Sequence, residues 1–132
     1  MKRVVLDTNV FVGALYNPGS ASRLIVEACR SGRLTLLLTT EVQREYERIL
    51  RRALPRQPAL ERLSGLLASA EIVVPQSTPP VVDADPSDDK FLAAAVAGNA
   101  DALVTSDRHL LDFDGYQGVR VLRPSAFVRL LG

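Results

Sequence analysis

The sequence has almost none of the residues that build thiol or soft-metal chemistry. It holds one cysteine, Cys29, and one histidine, His109. A lone cysteine excludes an intrachain disulfide, and one of each excludes a Cys/His zinc cluster. Cys29 lies in a helical pattern and reads as an inert, largely buried thiol, since a nucleophile wants an imidazole and an electropositive pocket beside it. Tryptophan is absent and aromatics make up only 5% of the chain, which argues against a base-stacking platform on a sheet surface. Excess charge of either sign is also missing. Sixteen Lys and Arg against fifteen Asp and Glu leave +1, so any polyanion binding must come from local arrangement. No apolar run is long enough to cross a bilayer, and Lys2-Arg3 leads into too few apolar residues for a secretory signal. A cytoplasmic protein without membrane contact is the expectation.

What is present is an alternation of short apolar runs and helical stripes over 132 residues, most simply one domain spanning 1–132. Val4-Val5-Leu6 is β-branched and apolar without polar alternation, as in a strand buried on both faces of a parallel sheet. Val10 to Leu15 runs on to a turn signal at Asn17-Pro18-Gly19-Ser20. Ala21, Leu24, Ile25 and Ala28 share a helical face that stops at Ser31-Gly32. Leu34 to Leu38 is a second strand. Thr39 and Thr40 offer N-caps to a helix through about Leu50, with Val42, Tyr46, Ile49 and Leu50 on its inner face. Residues 59–70 carry Leu60, Leu63, Leu66 and Leu67 at core spacing, and Ile72-Val73-Val74 reads as a third strand. A connector rich in Pro, Ser and Asp follows, and Ser87 can cap a central helix through Phe91–Ala97. Ala102 to Thr105 and Val119 to Leu122 are the last strands, and a short helix starts at Pro124. The fold class is α/β, a three-layer α/β/α sandwich on a parallel sheet of about five strands.

Acids recur at equivalent places in this pattern. Asp7 ends the first strand and Asp107 the fourth, both at the carboxyl edge where open α/β sheets bind ligands. Asp89, or its neighbour Asp88, stands in the first turn of a helix that can begin at the same edge. Glu45 lies beside the apolar stripe of its helix and away from the arginines. Each has a structural alternative: Asp7 or Thr8 as a turn cap, Asp88 and Asp89 offsetting a helix dipole, Glu45 pairing with Arg48 or Arg52, Asp107 initiating a turn. Carboxylates gathered at one edge repel unless a cation neutralises them, and with only hard oxygen donors that cation is Mg²⁺ or Mn²⁺. Such a site activates water and polarises a phosphoryl oxygen for in-line displacement at phosphorus.

Four segments taken together, Leu6-Asp7-Thr8-Asn9-Val10, Glu45-Tyr46 followed by Ile49-Leu50, Asp85-Pro86-Ser87-Asp88-Asp89-Lys90 and Leu103-Val104-Thr105-Ser106-Asp107, resemble the PIN-domain family. The likeness is strongest to its bacterial VapC-like branch, the toxin components of toxin–antitoxin pairs. It runs in order through essentially the whole chain. The resemblance implies a Mg²⁺- or Mn²⁺-dependent endoribonuclease, with RNA as substrate, an antitoxin protein as partner and a homodimer or higher homo-oligomer as the assembly. It implies Asp7, Glu45, Asp89 and Asp107 as catalytic, metal-holding acids, and Thr8, Asn9, Asp88 and Thr105 as supporting groups.

Arg44, Arg48, Arg51 and Arg52, with Arg56 and Arg62 beyond, concentrate basic charge around one helix. That face is either simply solvated or a track for a phosphate backbone beside the acidic cleft. His109 reads as a turn or surface residue. The alternative function is a non-catalytic PIN-like module that binds RNA or protein, although such a copy has no physical reason to keep a repulsive acid cluster. A receiver-type phosphotransfer site would want a Lys at the end of a late strand, where this sequence has Thr105-Ser106-Asp107.

Overall fold

The computed structural model describes residues 1–53, 64–75 and 89–131. Its strands are β1 (Arg3–Leu6), β2 (Thr35–Leu38), β3 (Glu71–Ile72), β4 (Ala102–Val104) and β5 (Arg120–Leu122). They form one parallel sheet in the order β3-β2-β1-β4-β5. The helices are α1 (Thr8–Tyr16), α2 (Ala21–Arg30), α3 (Thr40–Ala53), α4 (described over 64–69), α5 (Asp89–Ala97), α6 (Arg108–Leu111) and α7 (Pro124–Leu131). The expected α/β/α sandwich with a five-stranded parallel sheet is what the chain adopts.

β1 is the central strand. Val4, Val5 and Leu6 are fully buried and pair in register with Ala102, Leu103 and Val104, as continuous apolar runs do when helices cover both faces. β2 lies on one side of β1 and β4 on the other, so the strand order reverses between β1 and β4. That switch opens a crevice beyond their carboxyl ends. The Asp7 N–H donates to the Val104 carbonyl at 3.0 Å, extending the pairing by one residue to the point where both strands leave the sheet.

Several elements differ from the sequence reading. Val10 to Leu15 belongs to α1, whose nearly all-apolar composition hides its periodicity although only Thr8, Val10, Phe11 and Ala14 are buried. In α2 the buried stripe is Ile25, Val26, Ala28 and Cys29, while Leu24 is exposed. The helix packs against both α1 and α7, which turns the inner face by about one position. α3 continues to Ala53. β3 is Glu71–Ile72, and only the Val73 N–H, donating to Leu38, prolongs its pairing. Leu60, Leu63, Arg56, Arg62, the connector through Pro86, the cap at Ser87 and Asp88 all lie outside the described residues. So does the side chain of Asp89.

Tyr46 connects this frame to the site. It is fully buried, packs edge-on against Phe11 at 4.8 Å between ring centres and lies 6.5 Å from the Phe91 ring. Its hydroxyl donates to the Leu6 carbonyl at the end of β1. A buried phenol needs such a partner, and this one ties α3 to the last residue of the central strand. Glu45, one residue earlier, is thereby held at the carboxyl edge.

Candidate functional site

Two strands end in the same local motif. Asp7 follows β1 and caps α1, its Oδ1 accepting the Asn9 N–H at 3.3 Å. Asp107 stands three residues beyond the end of β4 and caps α6, its Oδ1 accepting the His109 N–H at 2.9 Å. Capping satisfies one orphan donor of each helix and leaves the other carboxylate oxygen free for a second task. Capping and membership of an acid cluster are therefore compatible, not alternatives.

Thr105 joins the two motifs. Its buried hydroxyl donates to Asp7 Oδ2 at 2.7 Å and accepts the Asp107 N–H at 3.0 Å. Glu45 arrives from α3, and its Oε2 accepts the hydroxyl of the buried Thr8 at 2.5 Å. Asp107 and Glu45 thus lie on the same carboxyl edge as Asp7, near enough for their charges to act on it. Burial pushes the Asp7 carboxyl above its ordinary pKa, and the negative charges of Asp107 and Glu45 push it further. The hydrogen bonds from Thr105 and Asn9 act the other way without offsetting the rise. Among the described residues, neither Asp7 nor Asp107 has a cationic partner.

Glu45 does have one. The Lys90 ammonium lies 2.7 Å from Glu45 Oε1, with both side chains mostly buried, so Glu45 pairs across to α5 and not with Arg48 or Arg52. Lys90 is the functional candidate that the sequence reading passed over. The signal was its place directly after Asp88-Asp89, since a helix that carries acids to an edge carries the next side chain there too. Arg44, Arg48 and Lys90 line an open pocket of about 310 Å³ with Glu41 and Glu45. Arg44 and Arg48 also line an adjoining groove of about 400 Å³ with Glu47, Arg51 and Arg52. The four arginines are exposed and, among the described residues, hold no ion pair.

The remaining candidates fall elsewhere. Asn9 is exposed and contributes its backbone N–H to Asp7, and His109 is exposed on α6. Cys29 is buried, and burial pushes its thiol up to about 12, as expected of an inert position. Asp89 starts α5, which places its backbone one residue from Lys90. Among the described residues no three Asp, Glu, His or Cys side chains converge closely enough to hold a metal ion. The chemistry of the donors nonetheless fits a hard divalent cation: a buried carboxyl with raised pKa, two repelling neighbours and oxygen ligands only. Among the described residues no helix is long and apolar enough to cross a membrane.

Comparison with known proteins agrees with this architecture. The family model of the PIN domain matches residues 3–109. No curated protein matches the chain. Among solved structures, the chain resembles one from the VapBC2 complex of Rickettsia felis, bound to a DNA fragment from their promoter. The TM-score is 0.59 at 16% identity, covering 90% of this chain and 96% of that one. PAE2754 from Pyrobaculum aerophilum gives a TM-score of 0.57 at 18% identity, covering 98% of this chain and 90% of that one.

Proposed function

The chain belongs to the PIN-domain family, and from that premise we propose that it is a Mg²⁺- or Mn²⁺-dependent endoribonuclease, the toxin component of a toxin–antitoxin pair acting in the cytoplasm. The observation that carries the reading is Asp7. It is a buried carboxyl at the carboxyl end of the central strand, flanked by Asp107 and Glu45 and lacking a cation among the described residues. Maintaining unrelieved like charge in a crevice costs stability, and a site that needs the charge is the economical explanation.

Asp7, Glu45 and Asp107 would hold the divalent ion, with Asp89 as the fourth acid and Asp88 as its supporting neighbour. A bound ion supplies Lewis-acid polarisation of a phosphoryl oxygen and acidifies water. Thr105 orients Asp7 and the Asp107 backbone, Thr8 orients Glu45, and Asn9 fixes the Asp7 carboxylate through its N–H. Arg44, Arg48, Arg51 and Arg52 would receive backbone phosphates on the adjoining face, where exposed guanidinium forks match phosphate oxygens. The likeness to the R. felis VapBC2 chain supports an antitoxin partner, and a homodimer or higher homo-oligomer is part of the same proposal. The test is cleavage of a labelled RNA with Mg²⁺ or Mn²⁺, with chelator, and with Asp7→Asn. Cleavage that requires the metal and Asp7 supports the proposal, and its absence with intact RNA binding overturns it.

A second reading, a non-catalytic RNA- or protein-binding module, draws support from one observation. Lys90 neutralises Glu45 without any metal, so part of the acid cluster is stable on its own terms. Metal-independent RNA binding unaffected by Asp7→Asn would favour it.

A further inference from the structure

Glu45 is clamped on both oxygens, by the Thr8 hydroxyl on one side and the Lys90 ammonium on the other. The Thr8 side faces the acid cluster, because Thr8 follows Asp7 directly. The Lys90 side faces the pocket that Arg44 and Arg48 also line. Lys90 therefore stands between two regions of opposite charge, and its position resembles that of neither a solvated surface lysine nor the exposed arginines. Its side chain is 9% exposed and Glu45's is 15% exposed. The ammonium lies 5.9 Å from the Phe91 ring centre, a further attraction for the cation along the wall of α5. A lysine this enclosed, on a carboxylate oxygen, occupies a position that a divalent ion held by Glu45 would contest.

We propose that Lys90 is a positioning residue that couples the two halves of the cleft. In the metal-free protein its ammonium is the counter-ion of Glu45. With a divalent ion on Glu45, the displaced ammonium joins Arg44 and Arg48 on a backbone phosphate of the RNA. Metal and RNA then bind cooperatively, because each supplies a partner for the group that the other leaves unpaired, phosphate for Lys90 and the ion for Glu45, and linkage makes the effect reciprocal. A lysine suits this exchange better than an arginine, being a compact charge on a flexible stem that can move between oxygens. The inference rests on the proposed metal role of Glu45.

The experiment is calorimetric titration of Mn²⁺ into the full chain, alone and with a phosphorothioate RNA dodecamer present. Wild type, Lys90→Gln, Lys90→Met and Asp7→Asn are compared. Lys90→Met keeps the aliphatic stem against Phe91, so it serves if the glutamine variant folds poorly, as judged by thermal midpoint in chelator. For the lysine variants, Mn²⁺ alone should bind about 3- to 10-fold tighter than to wild type, the scale of a partly buried ion pair. RNA should bind more weakly, and the tightening of Mn²⁺ by RNA should shrink by a similar factor. Mn²⁺ binding that Asp7→Asn abolishes but Lys90 variants leave unchanged or weaken overturns the coupling while sparing the metal site. No Mn²⁺ binding to wild type, with or without RNA, overturns both. Capture of an acidic peptide with no response to RNA assigns the arginine pocket to a protein partner and overturns the coupling as well.

Discussion

The two ends of β1 are built on opposite electrostatic plans. At its start, Arg3 forks onto Glu71 with contacts of 3.1 and 2.6 Å and also donates to the Gly98 carbonyl at 2.8 and 3.1 Å. Asp101 there accepts the N–H groups of Lys2 and Arg3 at 2.8 and 3.0 Å. Backbone hydrogen bonds hold the Asp101 carboxyl below its usual pKa, and the Arg3 guanidinium does the same for Glu71. At the other end Asp7 is buried among acids and its pKa is raised. One edge of the sheet pairs Arg3 with Glu71 and satisfies Asp101 with backbone donors. The other keeps charge in reserve, which is what a site requires and a scaffold avoids.

The contrast breaks most sharply at Asp7. Asp7→Asn keeps the helix cap, since asparagine caps as well as aspartate. It should nevertheless lower metal-dependent RNA cleavage by about 10²- to 10⁴-fold, the several kcal/mol a positioned metal supplies. Single-turnover assays on labelled RNA measure this, and activity within tenfold of wild type would remove Asp7 from the site. In chelator the same variant should melt higher than wild type, because it relieves a buried charge.

The opposite edge should answer to packing and not to chemistry. A Cβ at Gly98 would stand 2.7 Å from Leu37 Cδ1 and 3.1 Å from Val73 Cγ1. Gly98→Ala should cost about 1–3 kcal/mol of stability through overpacking, with cleavage per folded molecule unchanged. Denaturant titration and active-site normalised rates separate the two effects. Tyr46→Phe applies the same test at the carboxyl edge. It strands the Leu6 carbonyl, and a loss of about 1–3 kcal/mol is expected. Because Tyr46 anchors Glu45, cleavage should fall too, unlike in the Gly98 variant.

The smallest effect is the most diagnostic, since it inverts between edges. Asp7 has a folded pKa above its unfolded value, so the native state holds the extra proton and stability rises as pH falls through the folded value. The advantage of Asp7→Asn over wild type in chelator should be greatest at neutral pH and shrink toward 3.8, the ordinary aspartate value. Asp101 has a folded pKa below its unfolded value, so its contribution is present above the ordinary range and lost as pH falls through the folded value. Asp101→Asn should be less stable than wild type at neutral pH, by under about 1 kcal/mol, with the deficit closing in acid. Thermal midpoints across pH measure both, and slopes of the same sign would dissolve the distinction.

Much of this was legible in the chain before any coordinates. Val4-Val5-Leu6 announced a strand buried on both faces, and Asp7 and Asp107 stood out as acids that end such strands. Helix periodicity placed Glu45 beside the buried stripe of Val42 and Tyr46. These are properties of neighbours along the chain, set by the two-residue and 3.6-residue periods and by local capping. The faces of α1 and α2 were not legible, because apolar residues on both sides of α1 mask its buried stripe and packing against α1 and α7 rotates that of α2.

What the sequence determined by itself is the order of elements, the placing of acids at strand ends and an inventory of donors suited only to hard cations. The tertiary structure alone decided that β4 lies beside β1, which brings Asp107 to Asp7 through Thr105. It alone decided that Glu45 answers to Lys90 and not to an arginine on its own helix. The reason is physical. Local preference fixes what each segment can be, whereas the energy of a charge depends on which distant segments packing brings within a few ångströms of it.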